Sequence, residues 1–168
     1  ILVNTKEPWY YEMHQLGFNY RLTDFQSALG SSQLKKLDSF VGKRQKIASV
    51  YDDSFKNQRN IIVPIFKENH KSSYHLYPLL LNFKNLKISK VALFKEMAKI
   101  KINLQVHYIP VHFQPFYKNK FGFKKGDFPN SEDFYSKEIS LPVYPSLTPK
   151  QQKFVINGIM DIIKKNEN

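Results

Sequence analysis

Apolar residues recur at Phe25, Ala28, Leu29, Leu34, Leu37, Val41, Ala48, Tyr51 and Phe55, mostly at helical spacing, which predicts an amphipathic helical stretch. Its start is marked by Thr23 and Gln26, spaced as a capping box, with Asp24 in the first turn against the helix dipole. Gly30 and Gly42 each cost roughly 1 kcal/mol relative to alanine in a helix interior, and Asp38 can cap a second segment. A bend or break is therefore expected between Leu37 and Gly42, in one long bent helix or two consecutive ones. Residues 56–73 are polar with short apolar islands and read as a connector. Tyr74 to Phe83 has strand character, with Pro78 placing it at a sheet edge or beside a bulge. Ser89 caps a helix that buries Leu93, Phe94, Met97 and Ile100. Leu104 to Ile109 alternates as a strand, and residues 110–129 form a long aromatic- and lysine-rich loop. Asn130 or Ser131 caps a short helix carrying Phe134 and Ile139, and Leu141 to Tyr144 is a short strand between prolines. Thr148, Pro149 and Gln151 open a last helix with Phe154, Val155, Ile159, Ile162 and Ile163, closing on Lys164 and Lys165. The interleaving predicts a small α/β layer: three or four mostly antiparallel strands covered by helices on one face. Residues 1–22 carry no such pattern and read as the tail of something larger.

With 168 residues, 42% of them hydrophobic, the chain suffices for one domain with a real core, or one domain plus part of another. Ile1, Leu2 and Val3 have no basic leader before them, so neither a signal nor a transit peptide is predicted. No stretch approaches the roughly 20 apolar residues of a membrane span, and a soluble protein is expected. The absence of cysteine excludes disulfides, thiolate metal sites and a cysteine nucleophile, and accords with a cytoplasmic location. A net charge of +12 with many aromatics invites a nucleic-acid reading. Against it, arginine is confined to Arg21, Arg44 and Arg59, and the lysines are spread along the whole chain. An anionic small substrate such as a nucleotide would be drawn by the same field.

His14, His70, His75, His107 and His112 do not space as metal ligands: His107 and His112 would face opposite sides of a strand, and Pro110 excludes a helix between them. There is no Gly-x-Ser-x-Gly elbow, and the six glycines form no phosphate loop. The carboxylate pairs Asp52-Asp53 and Glu132-Asp133 are explained by a helix face and a helix first turn. Residue types and spacing identify no self-contained active site. What remains is Asn19-Tyr20-Arg21, either a plain turn before a helix or an amide and a guanidinium set beside a helix start to hold a phosphate.

The run Leu16-Gly17-Phe18-Asn19-Tyr20-Arg21-Leu22-Thr23-Asp24-Phe25-Gln26-Ser27-Ala28-Leu29-Gly30 resembles the DegT/DnrJ/StrS family of sugar aminotransferases. So do Gln33 to Asp38, Arg44 to Tyr51, and the stretches VHYIPVHFQPFY (106–117) and FPNSEDFYSKEISLPVYPSLTPKQQKFV (128–155). Within the family, the wording is most similar to the subgroup acting on a UDP-linked 4-keto-6-deoxy-N-acetylhexosamine in the pseudaminic acid pathway. The resemblance implies the C-terminal part of the type I pyridoxal 5'-phosphate (PLP) aminotransferase fold. Residues 1–22 would be the tail of the large PLP-binding domain, 23–58 the connecting helix or helix pair, and 59–168 the small C-terminal α/β domain. It further implies PLP as cofactor, glutamate and a nucleotide sugar as substrates, and a homodimer without nucleic-acid or membrane partners. Asn19 maps to the asparagine that reaches across the dimer toward the other subunit's cofactor phosphate. Arg21 maps near the substrate phosphates, and His107 and Tyr108, with His112 as a third candidate, lie near the nucleotide-sugar pocket. On a strand His107 and Tyr108 point to opposite faces, so only one of the two is expected to touch ligand directly, unless the strand has ended there.

Two departures stand out. Where relatives have Gly-Ile-Gly this chain has Lys101-Ile102-Asn103, so a turn without glycine is expected, with Asn103 left-handed. None of the 23 lysines matches the family's Schiff-base lysine, which lies upstream of the motif, and the chain alone is expected to be inactive. A basic polyanion-binding module and a noncatalytic subunit pairing through the Asn19 segment are the competing readings.

Overall fold

The computed structural model describes residues 13–167; residues 1–12 of the expected tail lie outside the described residues. The chain divides into two compact units, one ending at Lys36 and the other beginning at Leu37.

The first unit is an irregular segment leading into helix α1 (Asp24–Leu34). Thr23 caps it as expected: its hydroxyl accepts the Gln26 N–H, and the Gln26 side chain accepts the Thr23 N–H at 3.0 Å. The helix ends earlier than the glycines suggested. Gly30 lies inside α1 and Gly42 inside helix α2 (Leu37–Phe55), so the break falls at Lys35–Lys36, where Lys36 N–H closes a tight turn on the Gln33 carbonyl. The helices absorb a glycine penalty of about 1 kcal/mol each. α1 buries none of its apolar side chains: Phe25, Leu29 and Leu34 are all exposed.

In the second unit, α2 buries Ile47, Ala48, Tyr51 and Phe55. Three antiparallel strands follow in the order β1 (Ile61–Ile62), β2 (Tyr77–Leu81), β3 (Glu138–Leu141). β1 lies inside the expected connector, too short at two residues to show a period. β2 is the central strand of the three, where Pro78 led to the expectation of an edge or a place beside a bulge. The proline is tolerated because β1 pairs with Leu80 and Leu81 alone. On the other side Pro78 faces Ser140, whose N–H and C=O are both turned away to Gln105. Pro78 thus sits where the central strand is locally an edge and no ladder donor is needed.

Helix α3 (Lys90–Lys99) is capped by Ser89 as expected and buries Leu93 and Met97, while Ile100 stays partly exposed. After it, Lys101 N–H bonds to the Ala98 carbonyl and Ile102 N–H to the Met97 carbonyl, the two bonds of a Schellman motif. The left-handed residue is Lys101, at φ 64°, and not Asn103, because the motif requires that conformation one residue past the helix cap. A lysine there carries roughly 1–2 kcal/mol of strain, part of which glycine would return as backbone entropy. Lys101→Gly should therefore raise stability by about 0.5–1 kcal/mol, read as a higher urea midpoint at unchanged m-value.

The expected strand Leu104–Ile109 is absent. Gln105 exchanges both backbone bonds with Ser140, but His107 N–H then goes to the Glu138 side chain instead of a neighbouring carbonyl, and pairing stops. The expected loop 110–129 contains a 3-10 turn (Val111–Phe113) and helix α4 (Pro115–Phe121), closed by left-handed Gly122. Helix α5 (Pro129–Lys137) begins at Pro129, with Phe128 and not Asn130 or Ser131 in the cap position. A proline at the first helical position has the right φ and no N–H to satisfy. Ile139 belongs to β3, which begins at Glu138 rather than Leu141. All four β3 residues are buried, so this strand shows no alternation. Helix α6 (Pro149–Lys165) carries the predicted Thr148–Gln151 capping box and packs on α2 and α3. Gln152 Nε2 donates to the Ile47 carbonyl at 2.7 Å, and a Cβ at Gly158 would lie 2.9 Å from Ile100 Cδ1, showing how closely α3 and α6 approach. The inner face of β2, Tyr77, Leu79 and Leu81, is wholly buried in the core these helices enclose.

Candidate functional site

In the first unit, Asn19 Oδ1 accepts the Arg21 backbone N–H at 3.0 Å, an Asx-type turn that delivers the chain to the Thr23 cap. That bond fixes which end of the amide is which: the acceptor is engaged, and the Nδ2–H2 group is left as a donor. The rings of Phe18 and Tyr20 meet edge to face at 6.0 Å, and both are exposed, with Leu16 and Leu22 exposed beside them in sequence. This segment is at once a turn and a short display of one amide donor, one guanidinium and four apolar side chains.

In the second unit the predicted residues separate into two groups. The His107–Tyr108 peptide is cis, and their rings meet edge to face at 4.6 Å. With no strand here, the alternation that would send them to opposite faces does not apply. Tyr108 is exposed; His107 is half-buried, with Nδ1 2.7 Å from Ser140 Oγ. Ser140 Oγ in turn donates to Glu138 Oε1 at 2.5 Å, and Glu138 Oε2 accepts His107 N–H at 3.1 Å. Glu138 is wholly buried and Ser140 nearly so. Lys90 lies close enough to feel the Glu138 charge. Burial holds the Lys90 ammonium below the usual lysine range, and the negative Glu138 only partly offsets it. Its Nζ donates to the Tyr135 carbonyl at 2.5 Å and sits 4.7 Å from the centre of that ring. The sequence reading missed Glu138, Ser140 and Lys90. The one available signal was the two-residue spacing of Glu138 and Ser140, which places both side chains on one face of a strand.

His112 stands in the other group. It is buried on the 3-10 turn, against Phe113 and Phe128, with Nε2 3.1 Å from Glu132 Oε1. Glu132 also receives Gly126 N–H at 2.7 Å. Burial works against the Glu132 charge, but the bonds from the Gly126 backbone, the His112 ring and the Phe128 backbone outweigh it and hold the carboxyl below its ordinary range. This arrangement ties residues 111–128 to the start of α5. A carboxylate with a depressed folded pKa stabilises the fold above its unfolded value, about 4.3, and that contribution is lost as the pH falls through the folded value. Between about pH 6 and about pH 3, wild type should therefore lose more stability than Glu132→Gln, measured as the change in Tm of each.

A groove of about 740 Å³ lies in this unit between α2 and α6 over Ile47, Val50 and Ile156, with Lys43, Lys46 and Lys153 among its lining. It contains none of the predicted site residues. Among the described residues no helix is long and apolar enough to cross a membrane.

Residues 2–160 match the DegT/DnrJ/EryC1/StrS aminotransferase family. The chain is 43% identical over 94% of its length to the uncharacterized protein MJ1066 of Methanocaldococcus jannaschii, covering 41% of that protein. It is 39% identical over 95% of its length to the UDP-4-amino-4,6-dideoxy-N-acetyl-beta-L-altrosamine transaminase of Campylobacter jejuni, covering 42% of it. Among solved structures it resembles Helicobacter pylori PseC, an aminotransferase involved in the biosynthesis of pseudoaminic acid. The TM-score is 0.81 at 32% identity, over 96% of this chain and 43% of that one. The chain thus spans about two-fifths of the length of the curated relatives it matches.

Proposed function

The chain belongs to the DegT/DnrJ/EryC1/StrS aminotransferase family, and on that premise we propose that it is the C-terminal part of a PLP-dependent nucleotide-sugar aminotransferase. The complete enzyme transfers the amino group of glutamate to a UDP-linked 4-keto-6-deoxy-N-acetylhexosamine and works as a cytoplasmic homodimer. The single observation that carries the reading is the unbroken family match over residues 2–160. The family's amino transfer runs on PLP, which supplies the electron sink for the exchange of amine and ketone.

The residues described here suit one end of that cofactor. The Nδ2–H2 of Asn19, left as a donor by the turn that engages Oδ1, suits a phosphate oxygen. The reactive end has no such fit. Lys90, held below its ordinary range by burial, has its Nζ committed to the Tyr135 carbonyl and ring, and none of the 23 lysines stands in the family's Schiff-base context. Accordingly the Schiff-base lysine and the carboxylate on the pyridine nitrogen belong to the remainder of the enzyme. In this reading Asn19 holds the cofactor phosphate of the neighbouring subunit, Arg21 pairs with the substrate phosphates, and His107 and Tyr108 border the nucleotide sugar. His112, enclosed between Phe113, Phe128 and Glu132, shapes the loop beside them. The exposed apolar positions Leu16, Phe18, Tyr20, Phe25 and Leu29 are the surface that the rest of the enzyme and its partner subunit cover.

The complete enzyme, supplied with PLP, glutamate and the UDP-linked 4-keto sugar, should form 2-oxoglutarate in step with a UDP-linked amino sugar. Absence of turnover with this substrate, against turnover with another nucleotide-linked keto sugar, would move the assignment within the family. Absence with all of them would refute it.

A further inference from the structure

We propose that Glu138 and Ser140 are positioning residues that hold His107 as its Nδ1–H tautomer, so that Nε2 presents a lone pair to a hydroxyl or N–H donor on the bound ligand. The ligand half of this inference rests on the aminotransferase reading above; the tautomer half does not.

The direction of each hydrogen bond follows from donor inventory. Glu138 accepts at both carboxylate oxygens, from His107 N–H at Oε2 and from the Ser140 hydroxyl at Oε1, which is the pattern of an ionised carboxylate. A serine hydroxyl has one hydrogen. Once it is given to Glu138, Ser140 Oγ faces the His107 ring, 2.7 Å from Nδ1, with lone pairs alone. Two lone pairs at that distance would repel, so Nδ1 must carry the ring proton. Glu138 and Ser140 are buried on one face of β3, where water competes little for these bonds. The same carboxylate clamps the His107 backbone, so both the ring's tautomer and its place in the chain are set by one group.

The chemistry at the other nitrogen is then decided. Among the described residues none hydrogen-bonds Nε2, and the ring is half-buried beside the exposed Tyr108. A neutral imidazole with its proton on Nδ1 offers an acceptor at Nε2. It therefore selects the donor parts of a nucleotide sugar, a sugar or ribose hydroxyl or a base N–H, and disfavours a phosphate oxygen, which has no hydrogen to give.

The test is the nitrogen spectrum of the His107 ring in 15N-labelled chain at pH 8, where an ordinary histidine is neutral. Wild type should show a protonated Nδ1 and an unprotonated Nε2, the reverse of the tautomer that free histidine favours. Ser140→Ala should lose that signature and Ser140→Thr, which keeps the hydroxyl, should retain it. An unprotonated Nδ1 in wild type would overturn the proposal, as would an unchanged Nδ1–H signature in a folded Ser140→Ala chain. Should Ser140→Ala fail to fold, wild type and Ser140→Thr still decide. In the complete enzyme Ser140→Ala should raise KM for the nucleotide sugar about fivefold, the worth of one neutral hydrogen bond, with kcat little changed. An unchanged KM would overturn the ligand-facing role. Absence of wild-type turnover would count against the aminotransferase reading while leaving the spectra as predicted.

Discussion

In the complete enzyme, Asn19→Asp should weaken PLP retention by about 10- to 100-fold, the equivalent of the roughly 1.5–3 kcal/mol that a hydrogen bond to a charged group is worth. Aspartate is the informative replacement because it separates the two roles of the residue. It keeps the side-chain oxygen that accepts Arg21 N–H, so the turn and the Thr23-capped start of α1 should persist. It removes the Nδ2–H2 donor and places a negative charge where a phosphate is expected, adding repulsion to the lost bond. Asn19→Ala loses both oxygen and amide, and should weaken retention with some loosening of the turn. Equilibrium dialysis of PLP against the purified variants, with circular dichroism as the control for folding, separates these outcomes. Full retention by a folded Asn19→Asp enzyme would reduce Asn19 to a turn residue.

The second large effect concerns stability. Tyr77 is wholly buried, its ring 4.9 Å from that of Tyr51, and its hydroxyl donates to Asp52 Oδ1 at 2.6 Å. Tyr77→Ala should cost about 3–5 kcal/mol, as large-to-small replacement of a buried aromatic does. Tyr77→Phe keeps the ring and isolates the polar contribution. Asp52 is pushed above the usual carboxylate range, chiefly by burial, with the Tyr77 hydrogen bond opposing that push. Without the hydroxyl its folded pKa should rise further. A raised carboxyl pKa means the folded state takes up a proton more readily than the unfolded one, so its stability penalty is full above the folded pKa and fades below it. The destabilisation of Tyr77→Phe should thus be largest near neutral pH and shrink as the pH falls through the Asp52 value. Urea unfolding at several pH values reads this directly, and a penalty independent of pH would show that Asp52 does not sense the phenol.

What the sequence disclosed, and what it hid, follows from whether the signal was local. The three side-chain caps, at Thr23, Ser89 and Thr148, were legible because a hydroxyl and the N–H groups it serves lie within three residues. β1 and the all-buried β3 were not, since one is two residues long and the other has no alternation to read. Pro78 misled because its tolerance depends on where β1 stops, a fact of pairing and not of local sequence. The left-handed Lys101 shows the same limit: the motif that closes α3 overrides the residue's own preference. As candidates, the Asn19 segment, His107 and Tyr108 were given their roles through resemblance. Glu138 and Ser140 came to light only once β3 placed them 31 and 33 residues downstream of the histidine they bond. His112 was legible as a candidate, but its enclosure by Phe113, Phe128 and Glu132 is a tertiary fact.

We propose that these 168 residues carry the cofactor's phosphate donor and residues bordering the sugar, while the Schiff-base lysine lies elsewhere in the enzyme. Borohydride reduction in the presence of PLP, followed by peptide mass spectrometry, addresses it most directly. The complete enzyme should yield one pyridoxyl-lysine per subunit, at a position outside this chain, and the chain by itself no stoichiometric adduct. A single, stoichiometric adduct on one of the 23 lysines of this chain would contradict it.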